Sequence, residues 1–344
     1  MTTLLLRRRA FTLGAAASAI SLPAFAQAPV KVRYQLDWRF EASTIPYVVA
    51  LRKGYFKDEG LDVALNVGAG ASATVTRLAS GNFDMGTGDM NSLAEFAANN
   101  GQIPCKAVAL MYESTPAAVF SLKKSGITKP ADLKGRKLAA PVNDGARRIF
   151  PLFAAANGLD PAKDVEWLSV DPALRETMLA RGSVEAITGY MASGWVSLQR
   201  QGVAPQDIAV MKYADYGVKL PGNAIFATPD FIRNQPRAVT GVVRAVLRGL
   251  KDATHDRAGA VAILKEHENL VDPKIEAMRL AVAIDGEIGT PNAKKNGVGD
   301  IDLKAYQQGI NELAKVLNFK SVPDAAALVD TSLLPPRAQR MVFA

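Results

Sequence analysis

Between positions 30 and 36 apolar residues alternate with Lys31, Arg33 and Gln35, the period of a half-buried strand. Asp37-Trp38 ends that run. Ser43 or Thr44 can then cap a predicted helix that carries Pro46 in its first turn, runs through Ala50 to Lys53 and stops at Gly54. A second alternating run, 61–67, leads into Gly68-Ala69-Gly70-Ala71-Ser72 and a helix ending near Ser80. A third, 83–86, meets the loop Thr87-Gly88-Asp89 before a helix over about 91–99. Strand, glycine-bearing loop and helix recurring at this spacing predict an α/β fold, a sheet covered by helices.

The rhythm resumes after Lys123-Lys124-Ser125-Gly126, with a strand over 137–140, a loop over 141–145, a helix over 146–157, and strands over 165–170, 186–188 and 208–213. Beyond 223–226 the pattern turns helical, over 236–254, 259–266, 272–283 and 303–317. The middle α/β unit therefore reads as inserted into the first. Residues 27–120 and 224–344 form lobe I and 121–223 lobe II, joined by short crossings near 118–122 and 222–228.

The amino terminus has its own pattern. Arg7-Arg8-Arg9 precedes an apolar run from Phe11 to Leu22, then Pro23 and Ala24-Phe25-Ala26, the layout of a signal peptide over 1–26 with a small-x-small cleavage site. Arg8-Arg9-Ala10-Phe11 also fits a twin-arginine route. A periplasmic location follows.

Composition narrows the chemistry. At 344 residues and 49% hydrophobic content the chain can fill two ordinary domains. Its net charge of +8 is spread without a basic block, so nucleic acid is not an expected partner. Cys105 is the only cysteine, which excludes an internal disulfide and a cysteine-rich metal site. His255 and His267, the only histidines, fall in helical stretches with charged neighbours, and solvated helix faces account for both. No metal and no cofactor are expected.

Four fragments in order then carry a resemblance: Leu36-Asp37-Trp38; Gly54-Tyr55-Phe56-Lys57-Asp58-Glu59-Gly60-Leu61-Asp62-Val63; Leu78-Ala79-Ser80-Gly81-Asn82-Phe83-Asp84-Met85-Gly86; and Pro130-Ala131-Asp132-Leu133-Lys134-Gly135. Together they resemble the solute-binding proteins of ATP-driven importers for nitrate, sulfonates, taurine and thiamine precursors, the NMT1/THI5-like and SsuA/TauA-like group. The resemblance implies a periplasmic-binding-protein type II fold, two α/β lobes on a two-strand hinge, with a small polar or anionic molecule held between them. It implies delivery of that molecule to an ABC permease and its ATPase; helices amphipathic on a single side predict a monomer, and the lack of any nucleophile–base or metal-ligand spacing predicts binding without catalysis. The same resemblance extends to pyrimidine-forming enzymes that consume their own histidine and use iron, but their cysteine cluster is absent here. A subunit presenting ligand to a sensor would use the same cleft.

Ligands of open α/β sheets lie beyond the carboxyl ends of strands, where loops and helix amino termini expose N–H groups. That rule selects Asp37, Trp38 and Arg39 after the first strand, Gly70 and Ser72 after the second, Asp89 and Met90 after the third, and Asn143, Asp144 and Gly145 in the second lobe. Trp38 could stack on a planar ligand or be core, and Asp37 could accept from it or cap. Asp89 could meet a ligand or cap the next helix. Tyr190 and Asn223 match places where the resembled family lines its cleft. Where thiamine-precursor binders carry asparagine and histidine, Glu41 and Thr44 stand here; Arg39 could pair with an acidic ligand, or simply bridge Glu41.

Overall fold

A computed structural model describes residues 28–344, so the expected signal peptide over 1–26 lies outside the described residues. The chain lays down β1 (Val30–Gln35), α1 (Ile45–Arg52), β2 (Leu61–Asn66), α2 (Ala71–Ala79), β3 (Met85–Asp89), α3 (Met90–Asn100) and β4 (Lys106–Leu110). It then crosses to β5 (Ala117–Leu122), β6 (Arg136–Ala140), α4 (Gly145–Ala156), β7 (Val165–Ser169), α5 (Arg175–Ala180), β8 (Ala186–Tyr190), α6 (Met191–Arg200) and β9 (Ile208–Lys212). β10 (Asn223–Ala227) returns, followed by α7 (Pro236–His255), α8 (Arg257–His267), α9 (Pro273–Ala281), which continues as a π-helical turn over Val282–Ile288, and α10 (Leu303–Leu317).

Two five-stranded sheets result, ordered β2-β1-β3-β10-β4 and β7-β6-β8-β5-β9. In the first, β1 runs parallel to β2 and β3, and β10 is antiparallel to β3 and β4. In the second, β6 runs parallel to β7 and β8, and β5 is antiparallel to β8 and β9. β1 shows the alternation its sequence predicts, with Val32 and Tyr34 buried and Lys31 and Arg33 outward. β5 and β10 are buried at every position, as central strands covered on both faces are.

Two expectations change. Thr87-Gly88-Asp89 is strand, not loop, because β10 pairs along it from Ala227↔Met85 to Asn223↔Asp89 and satisfies a backbone that weak strand formers would otherwise leave irregular. The first crossing precedes 118–122: Ala117–Leu122 lies wholly inside the second sheet, and the polypeptide passes over 111–116 and back over 219–222. These two segments pair with each other, Thr115 N donating to Leu220 O at 2.8 Å and Gly222 N to Tyr112 O at 2.9 Å.

Each sheet has its own core. Val32, Tyr34 and Met85 pack with Val242, Val246 and Leu250 of α7 on one side, and Phe150, Phe153, Leu138 and Tyr213 pack on the other. Phe153 stacks on Tyr213 with ring centroids 4.6 Å apart. The burial gives each lobe an independent hydrophobic anchor, which leaves the crevice between them free to be polar.

Candidate functional site

The carboxyl ends of both sheets face one crevice, which encloses a narrow cavity of about 40 Å³. From the first sheet come Asp37 and Trp38 after β1, Gly70 and Ala71 at the start of α2, Thr87 on β3, Met111 and Tyr112 on the outgoing crossing, and Asn223 on β10. The second sheet contributes Asp144 and Gly145, Arg175, Tyr190, Ala192 and Ser193, and the helical C-terminal region adds Glu287 and Ile288. The lobes touch beside the crevice. Ser72 N and Oγ both donate to Asn143 O, and Gly70, at φ 139°, lies so close that an added Cβ would come within 2.1 Å of that carbonyl. Arg148 of α4 pairs with Glu95 of α3 across the same gap.

The charges are unequal. Arg175 is 1% exposed and already committed, NH1 to Asp144 Oδ2 at 3.0 Å and NH2 and Nε to Glu176 Oε1 at 2.6 and 2.9 Å. Three other carboxyls have no cationic contact among the described residues. Asp37 accepts from Asn223 Nδ2 at 2.6 Å, and burial pushes its pKa up to about 7. Asp89 caps α3 through the amides of Asn91 and Ser92 and faces Tyr190 Oη at 3.3 Å, with burial raising it to about 6. Glu287 Oε1 accepts from Ala192 N at 2.9 Å, and burial raises it to about 8. Burial also lifts Asp144 despite Arg175.

Glu41 sits just behind this wall. Burial opposes its charge, but Arg279 and Arg39 outweigh burial and hold it below the usual carboxylate range, and Ser193 Oγ donates to it. Trp38 is buried, with Arg175 5.5 Å and Arg39 5.7 Å from its ring centroid, and its Nε1 has no hydrogen-bond partner. A buried donor without an acceptor among the described residues is costly, and it belongs to a side chain that lines the crevice. No group of three His, Cys, Asp or Glu side chains that could hold a metal occurs among the described residues.

Of the residues singled out from the sequence, Asp37, Trp38, Gly70, Asp144, Gly145, Tyr190 and Asn223 line the crevice, and Asp89 reaches it through Tyr190. Four do not. Arg39 Nε turns to Glu41 Oε2 at 3.3 Å, so the local pair wins over a role in the cleft. Met90 is fully buried among Leu93, Phe226 and Tyr306. Ser72 is used by Asn143, whose own side chain points outward. Sequence reasoning missed Tyr47, Thr87, Tyr112, Arg175, Ser193 and Glu287. Applying the strand-end rule to β7 would have found Arg175; nothing local marks Glu287, which only the folding of the C-terminal helices brings in.

The comparisons agree with this architecture. A Haemophilus influenzae protein named for thiamine biosynthesis is 25% identical over 321 residues, covering 90% of this chain and 93% of its own. A 4-amino-5-hydroxymethyl-2-methylpyrimidine phosphate synthase of Saccharomyces cerevisiae is 35% identical over 109 residues, 31% of this chain and 32% of the synthase. Among solved structures, the alkanesulfonate-binding protein SsuA of Xanthomonas axonopodis pv. citri bound to MOPS aligns with a TM-score of 0.70 at 16% identity, over 88% of this chain and 98% of its own. The periplasmic nitrate-binding protein NrtA of Synechocystis aligns at 0.65 and 14% identity, over 90% and 87%. The fold is that of the periplasmic binding proteins. Because the model of NMT1/THI5-like proteins matches residues 41–260, from the wall behind Trp38 through the whole second sheet and back into the first, this chain belongs to the NMT1/THI5-like family.

Proposed function

We propose that this protein is the exported solute-binding component of an ABC importer, and that its cleft takes a small planar molecule rich in N–H donors, neutral or protonated. The observation that carries this reading is the set of three carboxyls, Asp37, Asp89 and Glu287, none of which forms an ion pair among the described residues. A sulfonate or nitrate would find Arg175 already engaged by two acids and would face the oxygens of further carboxyls elsewhere. An amino group donating to Asp37 or Glu287 satisfies a buried acceptor, and a ring nitrogen accepting from Trp38 Nε1 satisfies the orphaned donor. An aminopyrimidine edge presents both in one plane, which agrees with the pyrimidine named for the yeast relative. The small anions that the resemblance also allows fit less well.

Native mass spectrometry of freshly purified protein, followed by thermal shift with 4-amino-5-hydroxymethyl-2-methylpyrimidine, taurine and nitrate, tests the reading. The pyrimidine at a hundredfold excess over its dissociation constant should stabilise by about 2.7 kcal/mol, with the two anions inert. Stabilisation by taurine or nitrate alone would reverse the ligand class.

The names of the matched synthases favour one second reading, catalysis on the same fold. Neither histidine serves it from where it lies: His255 Nδ1 contacts Lys251 O, and His267 packs edge-on to Phe40 at 4.5 Å. Iron-dependent loss of histidine mass on incubation with a vitamin B6 phosphate would establish catalysis; an unchanged mass supports binding.

A further inference from the structure

Helix α10 has one buried stripe but two hosts. Tyr306 and Ile310 lie in a core of the first lobe with Leu93, Phe226 and Leu328, and Tyr306 Oη donates to Met90 O at 2.6 Å. Leu313, fully buried, lies in the core of the second lobe with Phe150, Phe153 and Leu220, and Val316, Leu317 and Phe319 pack around it. At Asn318, in the left-handed conformation at φ 52°, the helix ends, and the chain turns back to the first lobe, where Ser321 Oγ donates to Ala98 O at 3.1 Å. The polypeptide thus bridges the lobes a third time, through a helix instead of an extended strand.

The bridge passes the hinge at one point. Gly309, beside Ile310 in the half of the stripe that lies in the first lobe, faces Leu220 on the return crossing, and an added Cβ would stand 2.5 Å from Leu220 Cδ2. Leu220 is held in turn by Thr115 N, so the outgoing crossing, the return crossing and α10 meet in one stack. A side chain at 309 would separate the helix from that stack.

We propose that α10 is a third hinge element: its first half moves with the first lobe, its second half with the second, and the lobes rotate about the contact of Gly309 with Leu220. Apolar packing of Leu313 into the second core is kept when the crevice opens, because breaking it would expose that core. The geometry limits opening to what a helix can bend between Ile310 and Leu313 and orients it away from α10. None of this depends on which ligand is bound.

The test uses the ligand-free mature protein, so it stands even if the protein proves to bind none of the probes above. Small-angle X-ray scattering and amide hydrogen exchange are measured for Gly309→Ala, Leu220→Ala and the double variant. Gly309→Ala should shift the radius of gyration and raise exchange at 219–222 and 311–317 several-fold, and the double variant should recover toward wild type because the added methyl then has room. A folded Gly309→Ala protein with wild-type scattering and exchange overturns the proposal. Independently, Phe153→Leu, a mild loosening of the second core, should raise exchange at 311–317 about tenfold while 303–308 stays with the first lobe. If all of α10 keeps pace with the first lobe, α10 is no hinge.

Discussion

Tyr190 Oη, at the end of β8, lies 3.0 Å from Asn223 Oδ1, at the start of β10, so one hydrogen bond joins the carboxyl edges of the two sheets. The amide of Asn223 then passes the link to Asp37 Oδ2 at 2.6 Å. A residue of the second lobe therefore orients an acid of the first, through a side chain that can both accept and donate.

Tyr190→Phe keeps the ring and removes this link. The affinity for the aminopyrimidine probe should fall about 3- to 10-fold, the worth of one net hydrogen bond, with little change in the ligand-free melting temperature. Titration calorimetry decides it, and an unchanged affinity would reduce Tyr190 to a space-filling role.

Asp144→Ala should cost stability before it costs binding. It takes one of two acidic partners from a fully buried Arg175, and breaking a buried pair typically costs about 3 kcal/mol or more. The melting temperature of the ligand-free protein should drop by several degrees, at roughly 2–4 °C per kcal/mol. Asp144→Asn, which keeps one accepting oxygen for either Arg147 N or Arg175 NH1 but not both, should lose less. Equal melting points for wild type and Asp144→Ala would mean that Glu176 alone neutralises the guanidinium.

Stability should fall as pH rises. Asp37, Asp89 and Glu287 titrate at about 7, 6 and 8 in the folded protein, against roughly 4 in an unfolded chain. An acid whose folded pKa is raised favours folding fully below its unfolded value, and that contribution is lost as pH climbs through the folded value. The ligand-free melting temperature should therefore decline from pH 5 to pH 8, and affinity for an N–H donor or cation should rise over the same window. Glu287→Gln should flatten the upper part of both profiles; profiles that stay flat in the wild type would contradict the assignment.

Arg279 is the clasp on the first turn of α6. It donates to Ala192 O at 2.9 Å, Ser193 O at 3.0 Å and Ser197 Oγ at 3.2 Å, and pairs with Glu276. Lysine cannot span these acceptors from one planar fork, so Arg279→Lys should lower the melting temperature by several degrees and enlarge the ligand-free radius of gyration. Scattering identical to wild type would show that the clasp does not hold the lobes together.

The order and kind of the elements were legible in the chain because they depend on local periods: the alternation of Lys31, Arg33 and Gln35 with apolar residues made β1, and the stripe through Tyr306, Ile310, Leu313 and Leu317 made α10. Asp37, Trp38 and Asp144 were legible for a related reason, since strand ends and following loops mark where a sheet presents its ligands, whereas Tyr190 and Asn223 came from the resemblance. Only the tertiary structure decided the rest. Whether Arg39 faced a ligand or Glu41, and whether Arg175 was free or spent on Asp144 and Glu176, depended on which charges folding brought within contact. Glu287, sixty residues beyond the end of β10, entered the crevice because packing, not sequence proximity, placed it there. A single stripe on α10 likewise could not say that its two halves belong to different cores, since hydrophobic periodicity records that a face is buried and not what buries it.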